Sequence, residues 1–331
     1  MSYPLPLKIR GLGRYLPDRI VSNQELEQRM GLAAGWIKKK TGVMQRRWVT
    51  ADMSASTMAA KAAAEALENA CMTMDDVSLI LNASGTCQRV IPDNAPLFQR
   101  ELGYGASGIP GMSIHSTCLS FLSGIEVAAA LLAVGQYQSI LLITSDIPSR
   151  GLNFNDPESA SLFGDAAAAA VLSLPGPQES GAIHAYRMET YGEGADLTTA
   201  NAGTGGYPYA DGSKPEEALF KMDGKRVYRF AQKYGRGFLD RLAPGFAQEM
   251  QRISAVIPHQ STLLGIHALK NHGIDLEKVV ITLPDYGNCV AASIPLTLYQ
   301  AVKDGRLRRG ERFLLVGTGA GVSVAAALLT Y

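Results

Sequence analysis

Little in this chain marks it for nucleic acid, a membrane, a metal or an oxidising compartment. Lys and Arg number 31 against 30 Asp and Glu, for a formal charge of +1. No basic stripe interleaved with aromatics runs through it, so no nucleic-acid partner is expected. The longest apolar stretches, such as 125–134, include Glu126 and fall short of the about 20 residues that a membrane helix needs. No membrane partner is expected either. The four cysteines, Cys71, Cys87, Cys118 and Cys289, form no Cys-x-x-Cys pair and match no zinc or disulfide spacing. Residues 1–10 lack the basic region, apolar core and small-residue cleavage site of a signal peptide. The expectation is a reducing, cytoplasmic location with no metal.

What is present is an internal repetition. In the first half, 77–82 reads as a buried strand. A Cys118 junction and a helix over 119–134 follow, then a strand at 139–144 and a small-residue strand at 166–172. The second half repeats the order: a strand at 253–257 ending in Pro258-His259-Gln260, a helix opened by Tyr286-Gly287-Asn288-Cys289 and running over 290–302, and a strand at 312–316. A Gly317-Thr318-Gly319-Ala320-Gly321 turn and a last apolar strand complete it. Short β-branched runs alternating with helices imply parallel sheets covered on both faces. Two such units, 1–175 and 176–331, are expected to stack as α/β/α/β/α. The polar, Gly-, Tyr- and Pro-rich stretch 189–218 reads as a cap outside the core. Gly11-Leu12-Gly13, near the start, reads as a plain turn.

Cys118 carries the chemistry. A cysteine at a strand-to-helix junction has its sulfur near the positive end of the helix dipole, which favours the nucleophilic thiolate. An arbitrary cysteine is more often a small buried hydrophobe; the helix start argues against that here. The repeat places Asn288 at the matching helix start of the second half and His259 at a strand end. Taken alone, Asn288 could be a helix cap and His259 a satisfied strand-end histidine. Facing halves would bring the three together as a set for acyl transfer: a thiolate nucleophile, imidazole and amide donors, and backbone N–H groups for an oxyanion. His267 and His272 match no metal spacing with His259, and His115 stays unassigned. The glycine-rich 317–321 segment lacks Gly-x-Gly-x-x-Gly spacing and reads as a turn approaching a substrate oxygen.

With these residues assembled, the chain resembles the β-ketoacyl-acyl-carrier-protein synthase III family of the thiolase-like superfamily. The likeness runs through Trp36-Ile37 with Lys40-Thr41-Gly42-Val43 and Arg46-Arg47, and through the cysteine segment and Phe163-Gly164-Asp165. It continues in Ile257-Pro258-His259-Gln260, in Gly287-Asn288 with Ala291-Ala292-Ser293, and in the glycine-rich turn. It implies a five-layered thiolase-like fold and a homodimer. It also implies a two-stage reaction without cofactor: Cys118 takes an acyl group from an acyl-CoA, then a malonyl thioester, on carrier protein or CoA, loses carbon dioxide and attacks it. His259 and Asn288 fall on the family's other catalytic positions, and the backbones of Cys118 and Ala320 on its oxyanion hole.

The departures from the family are informative. Its adenine-sandwiching Trp and Arg map to Trp36 and Lys40. The second arginine is missing from Asn155-Asp156-Pro157-Glu158, and Arg150 lies out of register. A docking cation after the histidine motif is Leu264, and Gln260 is followed by Ser261-Thr262. Ile91, contributed by the partner subunit, stands where an aromatic residue commonly closes the acyl pocket. A roomier pocket and altered carrier recognition follow as expectations. Two other functions share the scaffold: an acyltransferase to an alcohol or amine, and a non-catalytic partner subunit. Asn288 argues against the first, because an amide can donate to an enolate oxygen, and Cys118 against the second.

Overall fold

The computed structural model describes residues 3–200 and 218–331. Two sheets built in the same strand order form its frame. The first contains β1 (Lys8–Tyr15), β2 (Leu79–Asn82), β3 (Gly111–Ser113), β4 (Ser139–Asp146) and β5 (Ala166–Ser173), in the order β1-β5-β4-β2-β3. The second contains β6 (Ala182–Thr190), β7 (Ile253–Pro258), β8 (Arg312–Gly319) and β9 (Ser323–Thr330), in the order β6-β9-β8-β7. Val279 bridges Val256 of β7 as β3 flanks β2, and Leu5–Pro6 adds a short edge beside β6.

Neither sheet is wholly parallel, contrary to the expectation from sequence. The β2–β4 and β7–β8 pairs are parallel, but β5 runs antiparallel to β4 and β9 to β8. The reason lies in the connections: only 320–322 separate β8 from β9, and so short a link can join antiparallel neighbours only. The glycine-rich segment is also more regular than expected, since Gly317 and Gly319 belong to β8.

Period-two alternation divides the core. Ile140 and Leu142 of β4 face a central layer with Phe121 and Ile125 of helix α2 (Ser120–Ala133) and Ile294 and Leu298 of helix α4 (Ser293–Lys303). Leu141 and Ile143 face outward to helix α1 (Ala55–Ala70). Helix α3 (Gly224–Gly235) and the turn Phe238–Leu242 lie against β9 on the far side. Five α/β/α/β/α layers result, with α2 and α4 sandwiched between the sheets.

Gly11 and Gly13 prove to be strand residues. A Cβ on them would stand 2.3 Å from the Ala66 carbonyl oxygen and 2.2 Å from that of Ala62, so their absence of side chain lets α1 lie directly on β1. Of the expected 189–218 cap, Glu189 and Thr190 end β6 and Thr198–Thr199 pair with Lys221–Met222; 201–217 lie outside the described residues.

Candidate active site

Cys118 sits on a single 3-10 turn, Thr117–Leu119, that opens α2. Thr117 adopts φ 50°, a left-handed backbone that costs a β-branched residue on the order of 1–3 kcal/mol. A hydrogen-bonded clasp holds it there. The Ser116 N–H donates to Ser120 Oγ at 2.9 Å, and that hydroxyl donates to the Thr117 carbonyl at 2.7 Å. Burial pushes the Cys118 thiol up to about 12, and the Asp146 carboxylate adds to the rise. The backbone N–H groups of Ala320 and Cys118 pull in the opposite direction. Desolvation of the charged form thus opposes the thiolate-favouring field expected of the helix start.

The second half contains the first of the clasp's two bonds. The Cys289 N–H donates to Ser293 Oγ at 2.9 Å, and Val290 has φ 51°. The two junctions match at a constant shift of 173 positions, Ser116 with Cys289 and Ser120 with Ser293. This corrects the sequence-based pairing of Cys118 with Asn288. The counterpart of Cys118 is Ala291, and that of Asn288 is His115, which is exposed with Nε2 3.4 Å from the Gly85 carbonyl oxygen. Element order alone could not fix the register within the turn; the spacing of each junction to its clasping serine does. Gly85 lies between the junctions, where a Cβ would meet Val290 Cγ1 at 2.6 Å and the Thr117 carbonyl oxygen at 3.1 Å.

His259 follows β7, and its N–H donates to the Val316 carbonyl of β8 at 2.8 Å. Burial lowers its imidazole to about 4, so the ring is neutral at physiological pH. Nδ1 is buried without a partner, and a buried acceptor there costs less than a buried donor. On that ground the proton is assigned to Nε2.

Asn288 is stapled to the first half: its N–H donates to Leu162 O at 2.9 Å, and its carbonyl accepts from Gly164 N at 3.1 Å. The Val290 N–H donates to Asn288 Oδ1 at 2.9 Å, which leaves Nδ2 as the unspent donor. His259 and Asn288 line one cavity of about 180 Å³ together with Leu162, Tyr228, Val316 and Gly317. Cys118 does not itself line it; the turn that carries Cys118 packs against the end of β8, whose Val316, Gly317 and Thr318 do. A Cβ on Gly317 would lie 2.8 Å from His259 Cβ and 3.0 Å from a Leu119 methyl, and one on Gly319 would lie 3.0 Å from Thr117 Oγ1.

The other expected contacts lie outside this cavity. Trp36 starts the helix Trp36–Thr41, Lys40 pairs with Glu158 at 2.6 Å, and Ile91 is 83% exposed. Sequence reasoning missed three buried braces. Gln260 donates from Nε2 to the Pro258 and Val280 carbonyls and accepts at Oε1 from the Thr282 and Leu283 N–H groups. Arg46 donates to the Asn23 side chain at 2.8 Å and to the Ser161 carbonyl at 2.6 Å. Asp146 ends β4 with no exposed surface. Only the position of Gln260 beside the strand-end histidine could have flagged one of them. Among the described residues, no helix is long and apolar enough to cross a membrane, and no three His, Cys, Asp or Glu residues cluster as metal ligands.

Comparison with known proteins agrees with this geometry. Residues 112–192 match the family model for 3-oxoacyl-[acyl-carrier-protein] synthase III, and 247–331 match the model for its C-terminal part. The chain is 33% identical to a β-ketoacyl-[acyl-carrier-protein] synthase III of Laribacter hongkongensis, covering 98% of this chain and 99% of that protein. It is 35% identical to β-ketoacyl-[acyl-carrier-protein] synthase III 3 of Streptomyces coelicolor, over 98% and 96%. A 3-oxoacyl-[acyl-carrier-protein] synthase III structure from Aquifex aeolicus VF5 superposes with a TM-score of 0.88 at 29% identity, over 98% of this chain and 100% of that one. The chain belongs to the β-ketoacyl-acyl-carrier-protein synthase III family and is an acyltransferase of the condensing type on a thiolase-like fold.

Proposed function

We propose that Cys118 carries the acyl group and that His259 and Asn288 hold the malonyl thioester. The observation behind this reading is one cavity lined by both His259, with a neutral imidazole, and Asn288, whose amide nitrogen has no partner among the described residues, while the turn carrying Cys118 packs against the same end of β8. In the loading stage, Cys118 sulfur attacks the acyl thioester carbonyl. The N–H groups of Cys118 and Ala320 take the developing oxyanion, and the thiol proton leaves with the departing CoA thiol. In the second stage the malonyl thioester loses carbon dioxide. The two side-chain donors hold its enolate oxygen, and its α-carbon bonds to the acyl carbon. Cys118 leaves as thiolate and regains a proton. No metal or redox group enters the balance.

Several features bear on the substrates. Helix α3 walls the cavity with Val227, Tyr228 and Ala231 and exposes Lys225, Arg226, Arg229 and Lys233 with no acidic residue, which suits an acidic carrier protein as malonyl donor. Lys40, at the position expected to clasp the adenine of CoA, is already paired with Glu158. Val90 and Ile91 expose apolar surface, 65% and 83%, as expected if a second copy covers them and Ile91 closes the partner's acyl pocket. The small aliphatic Ile91 leaves room for a chain longer than acetyl.

Intact-mass measurement with acetyl- to octanoyl-CoA tests the reading, followed by malonyl-carrier addition with carbon dioxide detection. The expected result is an adduct on the wild type, none on Cys118→Ala, and carbon dioxide release with a β-ketoacyl product. An adduct without carbon dioxide release would indicate simple acyl transfer instead.

A further inference from the structure

Asp146 is the end residue of β4, and the constant shift of 173 matches it to Gly319 at the end of β8. The two positions do equivalent things with opposite chemistry. Gly319 packs without a side chain against the first junction, at Thr117 and Leu119. Asp146 instead reaches the second junction with a carboxylate: the Ala292 N–H, counterpart of the Leu119 N–H, donates to Oδ2 at 3.0 Å. Oδ1 accepts from the Gly85 N–H at 2.9 Å, the Thr86 N–H at 2.7 Å and Thr86 Oγ1 at 3.0 Å. These four bonds tie the glycine loop between the junctions to the turn that presents Asn288. The bonded groups come from two chain segments, and none carries a positive charge. A buried carboxylate with no cation is costly to keep, and burial raises it to about 7.

We propose that Asp146 is a positioning residue for the condensation stage: its carboxylate locks the Val290–Ala292 turn, whose Val290 N–H holds Asn288 Oδ1 and so aims the amide donor into the cavity. At the first junction the equivalent glycine lets the end of β8 close directly on Thr117 and Leu119. This assignment rests on the condensing reading of the site. The same carboxylate also faces Cys118, together with the Ala320 N–H, and disfavours its thiolate; Cys87 in the loop and Cys289 at the second junction feel it too.

The test compares the wild type, Asp146→Asn and the milder Thr86→Val, which deletes one of the four bonds. Three quantities are read: acyl loading of Cys118 by intact mass, carbon dioxide release by the loaded enzyme, and site-resolved alkylation of Cys118 by iodoacetamide from pH 6 to 9. Asp146→Asn is expected to load fully but to release carbon dioxide on the order of ten-fold more slowly, with a smaller drop for Thr86→Val. Its alkylation should match the wild type below about pH 7, where the wild-type carboxyl is neutral, and exceed it several-fold above. Carbon dioxide release within two-fold of wild type would overturn the proposal. So would an equal fall in both stages with an unchanged alkylation profile. If Asp146→Asn fails to fold, Thr86→Val decides by the same criteria. If the wild type releases no carbon dioxide, the condensing reading fails, while the alkylation profile still reports on Asp146.

Discussion

The two helix starts of this protein are built alike and used differently. Each has a clasping serine, a left-handed β-branched residue and a tight turn before a central helix. The first ends in a cysteine whose approach is lined by glycines of β8; the second ends in Ala291 and receives a buried carboxylate. The strained turn is thus a framework held in common. What each junction can do depends on the residue that the opposite half places against it.

Moving the nucleophile should have the largest effect. The double variant Cys118→Ala/Ala291→Cys keeps one cysteine at a clasped helix start, yet should form no acyl adduct, because the Ala320 N–H stands at the first junction and not at the new sulfur. An intact-mass adduct on the transplanted thiol of that variant would dissolve the distinction between the junctions. Asn288→Ala should leave loading intact and slow carbon dioxide release by about 10²–10³-fold, as expected for loss of one preorganised donor; equal loss in both stages would place Asn288 in the scaffold only.

Smaller effects test the seam. Gly85→Ala puts a methyl 2.6 Å from Val290 Cγ1 and 3.1 Å from the Thr117 carbonyl oxygen, so denaturant unfolding should show about 1–3 kcal/mol of overpacking. A further effect, on stability alone, concerns acid. His259 is lowered from 6.5 to about 4, so in acid the unfolded imidazole binds a proton that the folded one refuses. That disfavours folding progressively as pH falls from 6.5 to 4, and the stability present above 6.5 is lost through this window. His259→Gln, which does not titrate, should have a shallower fall in Tm across it.

Much of the frame was legible because it is local. Short continuous apolar runs mark β4 and β8, and a Pro-His-Gln strand end marks β7. The direction of β5 and β9 was not, since a run of alanines looks the same in either sense. Gly11 and Gly13 read as a turn because their partner, α1, lies about fifty residues away and meets them mainly through its backbone. At the site, Cys118, His259 and Asn288 stood out as residue types at element boundaries. The thiol's high pKa did not, because burial between two sheets is a property of the assembled layers. Asp146 was invisible for the same reason: its donors come from 85–86 and 292.

The seating of α1 on β1 also dictates an order of assembly. β1 has no strand neighbour in sequence; it pairs with β5, Lys8 opposite Ser173, and its glycines fit only against a helix already formed. A strand synthesised well before its partners is therefore among the last to be placed, and contacts of such long sequence separation form slowly. Until then the part of the alanine face of α1 that meets Gly11 and Gly13 stands bare.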